Sequence, residues 1–596
     1  MEEQKTEPNS GLGKAISCLQ RVSLAVAPAG NATIGRVDRQ ALLAVARGDA
    51  AADRLIRGAR VVNVYSGEIL DVNVALAGGR IAYVGPRRPA AREVLDAAGL
   101  YLAPGWIEPH GHPWLLYNPV SMIEGILPGG TTLVFNDDLF FYLQAGPHGF
   151  LALLDALQGL PVRYRWLIRL LSQSQWDGEA AAFDPGKLRP LLARPEVAGT
   201  AELTRWPEVT RGNPCVLDGI AHARALGKRA DGHTAGASYE KLNAVAAAGI
   251  SACHESITRQ EVMDRLRLGL WTMLRHSSLR PDMPELACAI TELGAATGRL
   301  MLTVDGPAPG FIAHAGFIDE ALRRIVAAGV PPVTAIQMAT INPATYYHLD
   351  EEVGGIAPGR AADLVLLPDL SSFRPVRVIA NGVDVFHEGR LSIDLPALDW
   401  DALGMRPQFS AGSFPWWEAR GDLPVIDFRS NVITRAGGFQ AWRDGAVPEG
   451  LVLAVLVDRG GRWAARCWLH GFAPALEALA TTYNTTTHVL AIGRRIESMR
   501  RAVECVTSLG GGMVSSDGWQ FPLPIAGMMS TAPFAETVRA HDELDRRVRA
   551  AGFAFGDILY ALLFLTCDFL PGWRLTARGV IDVKTGEIIA PPLAAA

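Results

Sequence analysis

Residues 104–112 read Pro-Gly-Trp-Ile-Glu-Pro-His-Gly-His, a short apolar run that ends in two histidines separated by one residue. Side chains in a strand alternate between faces, so His110 and His112 should point to the same side. Histidine is the commonest metal ligand, and two imidazoles on one face can hold one ion. The pair therefore predicts a metal site at the end of a strand, although two solvated histidines in a turn would give the same pattern.

Short apolar runs alternate with stretches of helical period from residue 101 to about 345. Such alternation predicts parallel strands, in either an open doubly wound sheet or a closed barrel. The count of eight runs favours an α/β fold with a (β/α)8 TIM-like barrel. The candidate strands are 103–109, 131–136, 163–168, 197–202, 229–233, 250–254, 271–275 and 299–304.

Four further ligand-type residues stand at the ends of later candidate strands, namely Glu202, His233, His254 and Asp305. In a barrel of parallel strands, the carboxyl ends of all strands meet on the face where active sites are built. Imidazoles and carboxylates together suit Zn, Mn or Fe. The sequence thus predicts a site for one or two divalent metal ions.

The segments on both sides of the barrel region have the pattern of short β-strands. Residues 51–100 and 346–400 are expected to form one small flanking β domain, and 420–596 a C-terminal α/β domain. Residues 1–50 are interpreted as a partly mobile extension. The apolar run 558–567 is about ten residues long, where a membrane span needs roughly 20, so it is interpreted as a buried core helix.

Composition excludes several classes of protein. The 596 residues are 49% hydrophobic and 20% charged, which is typical of globular chains, and the net charge of −5 shows no footprint for nucleic acid or an anionic membrane. Seven scattered cysteines predict reduced thiols. No targeting signal is visible at the start. We expect a cytoplasmic homo-oligomer that acts on a small molecule.

Longer motifs resemble the amidohydrolase superfamily and, within it, the adenine deaminase family, over about residues 50–590. Besides residues 104–112, the resemblance rests on 130–132 (Gly-Thr-Thr), 199–202 (Gly-Thr-Ala-Glu), 231–233 (Asp-Gly-His), 242–255, 339–344 and 355–363. In the C-terminal region it rests on 509–513 (Leu-Gly-Gly-Gly-Met) and 523–530 (Leu-Pro-Ile-Ala-Gly-Met-Met-Ser). The C-terminal pair makes the resemblance specific to adenine deaminases.

The resemblance implies a role for each candidate residue. By position, the family's metal ligands correspond to His110, His112, Glu202, His233, His254 and Asp305. Glu202 stands where related enzymes often carry a carboxylated lysine that bridges two metals. Metal ions lower the pKa of water, and Asp305 would pass its proton to the leaving nitrogen. The expected reaction is deamination of adenine or a related amino-heterocycle, with Asp305 and Glu202 as catalytic residues.

Three motifs depart from the family pattern: residues 113–116 (Pro-Trp-Leu-Leu), 137–140 (Asp-Asp-Leu-Phe) and 484–488 (Asn-Thr-Thr-Thr-His). At the first two, polar groups become apolar, which indicates a more apolar substrate than adenine unless the loops only repack against each other. The candidate substrate-binding residues are Trp114, Asp137, Asp138, Glu255 and His488. Glu124 could also supply a lost polar group.

Two alternatives follow from the same residues. One is a hydrolase of a cyclic amide, or of an amide with an aromatic or apolar group, on the same metal site. The other is a non-catalytic relative that keeps only the fold. Such a relative would be expected to lose metal ligands, and all six are present here, so the enzyme is favoured.

Overall fold

The computed structural model describes residues 38–410, 421–443 and 445–594, so most of the predicted N-terminal extension lies outside it. Eight parallel strands follow one another around a sheet in chain order. At the seam, Thr303 Oγ1 at the end of the last strand and the following Val304 N donate to the Glu108 carboxylate in the first strand, at 2.5 and 2.8 Å. The strands, called β1 to β8, are Trp106–Gly111, Thr131–Asp137, Arg163–Ile168, Val197–Thr200, Arg229–Gly232, Ala252–Cys253, Trp271–Arg275 and Leu300–Thr303. The predicted (β/α)8 barrel is confirmed.

Helices connect the strands, and several begin at residues suited to that position. Ser238 and Thr258 accept hydrogen bonds from the first turns of their helices, and Asn213 does so ahead of Pro214. The α-helices of this region are Pro119–Ile126, Leu139–Ala156, Glu179–Ala182, Pro185–Leu192, Pro207–Thr210, Pro214–Ala225, Tyr239–Ala247, Arg259–Arg267, Met283–Thr291, Pro309–His314, Ile318–Ala327, Pro332–Met338 and Ile341–Tyr346. Two short 3-10 helices, Leu127–Gly129 and Thr297–Arg299, complete the set.

The first predicted strand, 103–109, was wrong as a single strand. Tyr101–Pro104 pairs with Leu364–Leu367 in a separate sheet, and the chain enters the barrel only at Trp106. Gly105 joins the two strands, and a Cβ atom there would lie 2.2 Å from the Thr132 hydroxyl oxygen. The close approach of the neighbouring strand therefore requires glycine at the crossing.

The two segments that flank the barrel in sequence share a seven-stranded sheet. Its strands are Arg390–Leu391, Val383–His387, Arg377–Ala380, Leu364–Leu367, Tyr101–Pro104, Arg60–Asn63 and Glu68–Asp71. A four-stranded sheet beside it contains Arg80–Gly85, Asn73–Ala77, Ala52–Arg57 and Ala91–Asp96. Helix Arg39–Arg47, capped by the Asp38 side chain, precedes both.

The C-terminal region contains a nine-stranded sheet, a three-stranded sheet and three helices. The larger sheet comprises Asp422–Phe428, Thr434–Ala441, Leu451–Val457, Trp463–His470, Ala478–Thr481, Val489–Gly493, Gly512–Ser515, Gln520–Pro522 and Leu593–Ala594, and the smaller Trp573–Thr576, Gly579–Asp582 and Ile588–Ala590. The helices are Ile496–Ser508, Phe534–Ala550 and Ile558–Leu565. The last is almost wholly buried, which confirms the predicted core helix. No helix within the described residues combines the length and the apolar character that a membrane crossing needs.

Candidate metal centre

All six candidate metal ligands converge at the carboxyl ends of the barrel strands and are buried. They form three overlapping groups, in each of which the ligand atoms lie within 4.8 Å of one another. The groups are His110, His254 and Asp305; His110, His112 and Glu202; and Glu202, His233 and His254. Residues up to 195 positions apart in the chain therefore share one site.

The orientation of the imidazoles fits a metal ion. His110 Nδ1 lies 2.7 Å from Asp231 Oδ2, and His110 Nε2 is buried with no hydrogen-bond partner in the described part of the chain. His233 Nδ1 and His254 Nε2 are 3.2 Å apart and both face Glu202 Oε2, at 2.6 and 3.2 Å. A cation between these nitrogens and the shared carboxylate would satisfy their lone pairs.

Both carboxylates of the cluster are held in the ionised form that metal binding requires. Burial alone would raise the pKa of Glu202, but Arg169 and His233 outweigh burial and hold it well below its ordinary value. Burial likewise opposes ionisation of Asp305, whose pKa is nevertheless well below its ordinary value because of Arg275 and His112. The neighbouring cations thus stabilise two buried negative charges.

Arg169, which follows β3, is a residue that sequence reasoning missed. Its guanidinium is fully buried and donates to Asp137 Oδ2 at 2.6 Å and to Glu202 Oε1 at 2.5 Å. Asp138 accepts a hydrogen bond from the Arg169 backbone N–H at 2.8 Å. Asp137 and Asp138 therefore both hold Arg169, and their role in substrate binding stays a prediction. The position of Arg169 at a strand end was the signal that could have found it.

Replacing Arg169 with methionine is expected to destabilise the protein and weaken metal binding. The change removes the cation that contacts both the Asp137 and the Glu202 carboxylates, and breaking such a buried network typically costs about 3–5 kcal/mol. Thermal melting and metal content of the purified variant measure both effects. Arg169→Lys, which keeps the charge but loses the two-pronged contact, should fall between methionine and wild type. Unchanged melting and metal content in Arg169→Met would contradict this role.

A second missed arginine, Arg275 at the end of β7, contacts Asp305 Oδ2 and Glu255 Oε1, both at 2.6 Å. Arg280 Nη1 lies 2.9 Å from the other oxygen of Glu255. Burial would raise the pKa of Glu255, but His233 and the two arginines lower it to about 2. Glu255 is therefore an ionised hydrogen-bond acceptor on the wall of the site, as its predicted role in substrate binding requires.

The cavity over the six residues is closed by side chains from the C-terminal region, here called the roof: Val432, Tyr560, Phe564, Phe569 and Leu570. The Tyr560 hydroxyl donates to the Gly306 carbonyl oxygen next to Asp305. The Phe569 ring meets the His233 ring edge-on, with centroids 5.7 Å apart. Sequence reasoning did not predict the roof.

The residues at which the sequence departs from the family pattern do not all line the metal cavity. Trp114 lines the metal cavity and packs against His112, with ring centroids 4.8 Å apart. Leu115, Leu116 and Leu139 are buried in the core and do not line this cavity. Glu124 accepts a hydrogen bond from Phe534 N at 3.0 Å. Only Trp114 among the apolar replacements can therefore touch a substrate at the metals directly.

His488 lies in a separate cavity of about 930 Å³ between the barrel and the C-terminal region. Its ring packs edge-on against Trp463 at 4.8 Å, and its Nδ1 lies 3.4 Å from Asp458 Oδ1. The structure therefore does not bring His488 to the six candidate ligands. His488 lies in the C-terminal region, where its surroundings change its pKa.

Burial lowers the pKa of His488 from 6.5 to about 4, although Asp458 acts in the opposite direction. The unfolded chain takes up this proton at higher pH than the folded chain. The contribution of neutral His488 to the free energy of unfolding is thus fully present above pH 6.5. It is lost as the pH falls towards 4, and the loss is about 1–3 kcal/mol. We expect the difference in melting temperature between wild type and His488→Asn to shrink over that interval. A difference that is constant with pH would contradict the effect.

Comparison with known proteins agrees with this fold. Residues 101–385 match the amidohydrolase family, and residues 431–587 match the adenine deaminase C-terminal domain. The chain is thus a hydrolytic enzyme of the amidohydrolase class, which acts on C–N bonds.

Relatives over nearly the full length make the family specific. The chain is 32% identical to the adenine deaminase of Moorella thermoacetica, over 92% of this chain and 97% of the relative. It is also 32% identical to the adenine deaminase of Cenarchaeum symbiosum, over 92% and 94%. The chain belongs to the adenine deaminase family. Among solved structures, a β-aspartyl dipeptidase of Fervidobacterium islandicum AW-1 matches with a TM-score of 0.46 and 18% identity, over 57% of this chain and 98% of that one.

Proposed function

We propose that the protein catalyses hydrolytic deamination of adenine or a related amino-heterocycle, with ammonia as the leaving group. The observation that carries the proposal is the convergence of His110, His112, Glu202, His233, His254 and Asp305 beneath a roof supplied by the adenine deaminase C-terminal domain. The six residues would hold one or two ions of Zn, Mn or Fe. Such an ion lowers the pKa of water so that hydroxide is available near neutral pH.

The chain's own residues supply proton transfer and orientation. Asp305 is ionised and buried, so it can accept a proton from the attacking water and return it to the departing nitrogen. Arg275 fixes the other side of that carboxylate through the 2.6 Å contact to Oδ2. Glu202 is held by Arg169 and faces both His233 and His254. The roof limits the access of bulk water.

The test is release of ammonia by purified protein loaded separately with Mn, Zn and Fe. Adenine comes first, followed by other amino-heterocycles, and then cyclic amides and aryl amides for ring opening or amide cleavage. Ammonia from an amino-heterocycle supports the proposal, and amide products without ammonia would replace it with amide hydrolysis. Efficient turnover of adenine would also contradict the indication from residues 113–116 and 137–140 that the substrate is more apolar than adenine. The homo-oligomeric state and the cytoplasmic location of the protein stay predictions.

A further inference from the structure

Apart from the candidate metal ligands and Arg275, three residues that line the metal cavity each carry a buried polar atom without a partner among the described residues: Trp114 Nε1, Gln173 Oε1 and Thr204 Oγ1. Their residues are 2%, 3% and 4% exposed. Buried polar groups are nearly always hydrogen-bonded in native proteins, and exceptions cluster where a ligand or ion completes the bonding. Three such atoms around one cavity therefore point to a ligand.

The chemistry of each atom is fixed by its surroundings. Trp114 can only donate, and its ring is held between His112 and Phe140, with centroids 4.8 and 4.7 Å away. Gln173 directs Nε2 towards Glu202 Oε1 at 3.4 Å, so the amide oxygen is left as an acceptor. The Thr204 hydroxyl can do either. The cavity thus offers one fixed donor, one fixed acceptor and one adaptable group.

We propose that Trp114, Gln173 and Thr204 recognise the ring edge of the substrate, an inference that rests on the proposed deamination. The ligand that fits is a planar amino-heterocycle. A lone pair on a ring nitrogen accepts from Trp114 Nε1–H, and a ring N–H or amine donates to Gln173 Oε1. A purely hydrocarbon group would leave all three atoms unpartnered. Trp114, an apolar replacement by sequence, therefore supplies a polar contact.

The proposed hydrogen bond from Trp114 Nε1–H to the substrate can be tested by replacing the indole ring with a phenyl ring. Trp114→Phe keeps an aromatic ring and removes the N–H, and Trp442→Phe is the matched control. Trp442 is also 2% exposed with a buried, unpartnered Nε1, but it lies in the C-terminal sheet region. The probes are adenine and its deaza-analogues, in each of which one ring nitrogen is replaced by C–H. Calorimetric titration of metal-loaded protein gives the dissociation constants, and ammonia release is measured separately.

We expect wild type to bind one deaza-analogue at least about 10-fold more weakly than adenine, because a site built to donate a hydrogen bond rejects a ligand that cannot accept it. Trp114→Phe should bind adenine at least about 10-fold more weakly than wild type does, and it should no longer prefer adenine to that analogue. Trp442→Phe should keep both the affinity for adenine and the preference. Gln173→Leu and Thr204→Val should each weaken adenine binding.

The outcomes separate this inference from the proposed reaction. Loss of discrimination in Trp114→Phe without ammonia release in wild type supports the recognition and overturns the deamination. Ammonia release with unchanged discrimination in Trp114→Phe overturns the recognition alone. A wild-type protein that binds neither adenine nor any analogue overturns the recognition as well.

Discussion

Replacing His110 with alanine is expected to remove metal from the protein and to lower kcat/KM by about 10³-fold or more, since the polarisation supplied by a metal is worth several kcal/mol. His110 belongs to two of the three ligand groups, and its Nε2 has no other partner among the described residues. Its loss therefore takes a nitrogen from two of the three groups at once. Elemental analysis after dialysis and steady-state kinetics measure the two quantities.

His233→Ala extends this test to the number of ions, because His233 belongs only to the third group. If two ions bind, His233→Ala should remove about one of them, and His110→Ala, which affects two of the groups, should remove more. His222→Ala, on the outer helix Pro214–Ala225, controls for loss of a histidine and should change neither quantity. Full metal content and activity in His110→Ala would contradict the assignment of the site.

Replacing Asp305 with asparagine is expected to lower kcat by about 10²–10⁴-fold with little change in KM. Asparagine keeps the shape of the side chain but cannot accept the proton from water or return it to the leaving nitrogen. The change also removes the negative charge that faces Arg275 at 2.6 Å, so stability must be measured alongside. Kinetics on variant protein with verified metal content separate proton transfer from metal loss.

Asp319→Asn provides the matched control for loss of a buried, ion-paired carboxylate. Asp319 is 7% exposed and pairs with Arg323 at 3.0 Å on the outer helix Ile318–Ala327. This control should lower the melting temperature without changing kcat. A normal kcat in metal-replete Asp305→Asn would remove Asp305 from the proton-transfer step.

Local pattern was sufficient to predict the barrel and the six residues at its strand ends. Buried parallel strands are short apolar runs, and their carboxyl ends are readable because a polar residue follows closely, as Asp305 follows Leu300–Thr303 by two positions. The break at Gly105 was not predictable in this way, because residues 101–107 form one continuous apolar stretch across it. The pairing of Tyr101–Pro104 with Leu364–Leu367 depends on a partner more than 250 residues away.

The missed part of the site depends on contacts distant in sequence. Arg169 follows an apolar strand like the predicted ligands, but an arginine there gives no sign of its partners. Asp137 and Asp138, which the sequence predicted to bind substrate, both contact that arginine, and only the packing reveals this contact. His488 has a suitable residue type, but the fold places it in a different cavity. The sequence thus indicated which residue types could bind a metal or transfer a proton, but not the direction in which each side chain points.

The position of the roof in the sequence determines which segments must mutate for the enzyme to accept new substrates. A fragment that ended at residue 400 would keep all six candidate ligands and lose Val432, Tyr560, Phe564, Phe569 and Leu570. The reactive centre and the surface that encloses it are thus encoded in separate stretches of the gene. Mutations within residues 558–570 can alter which molecules are admitted while the ligand set stays intact, so that new substrates are accessible without rebuilding the chemistry.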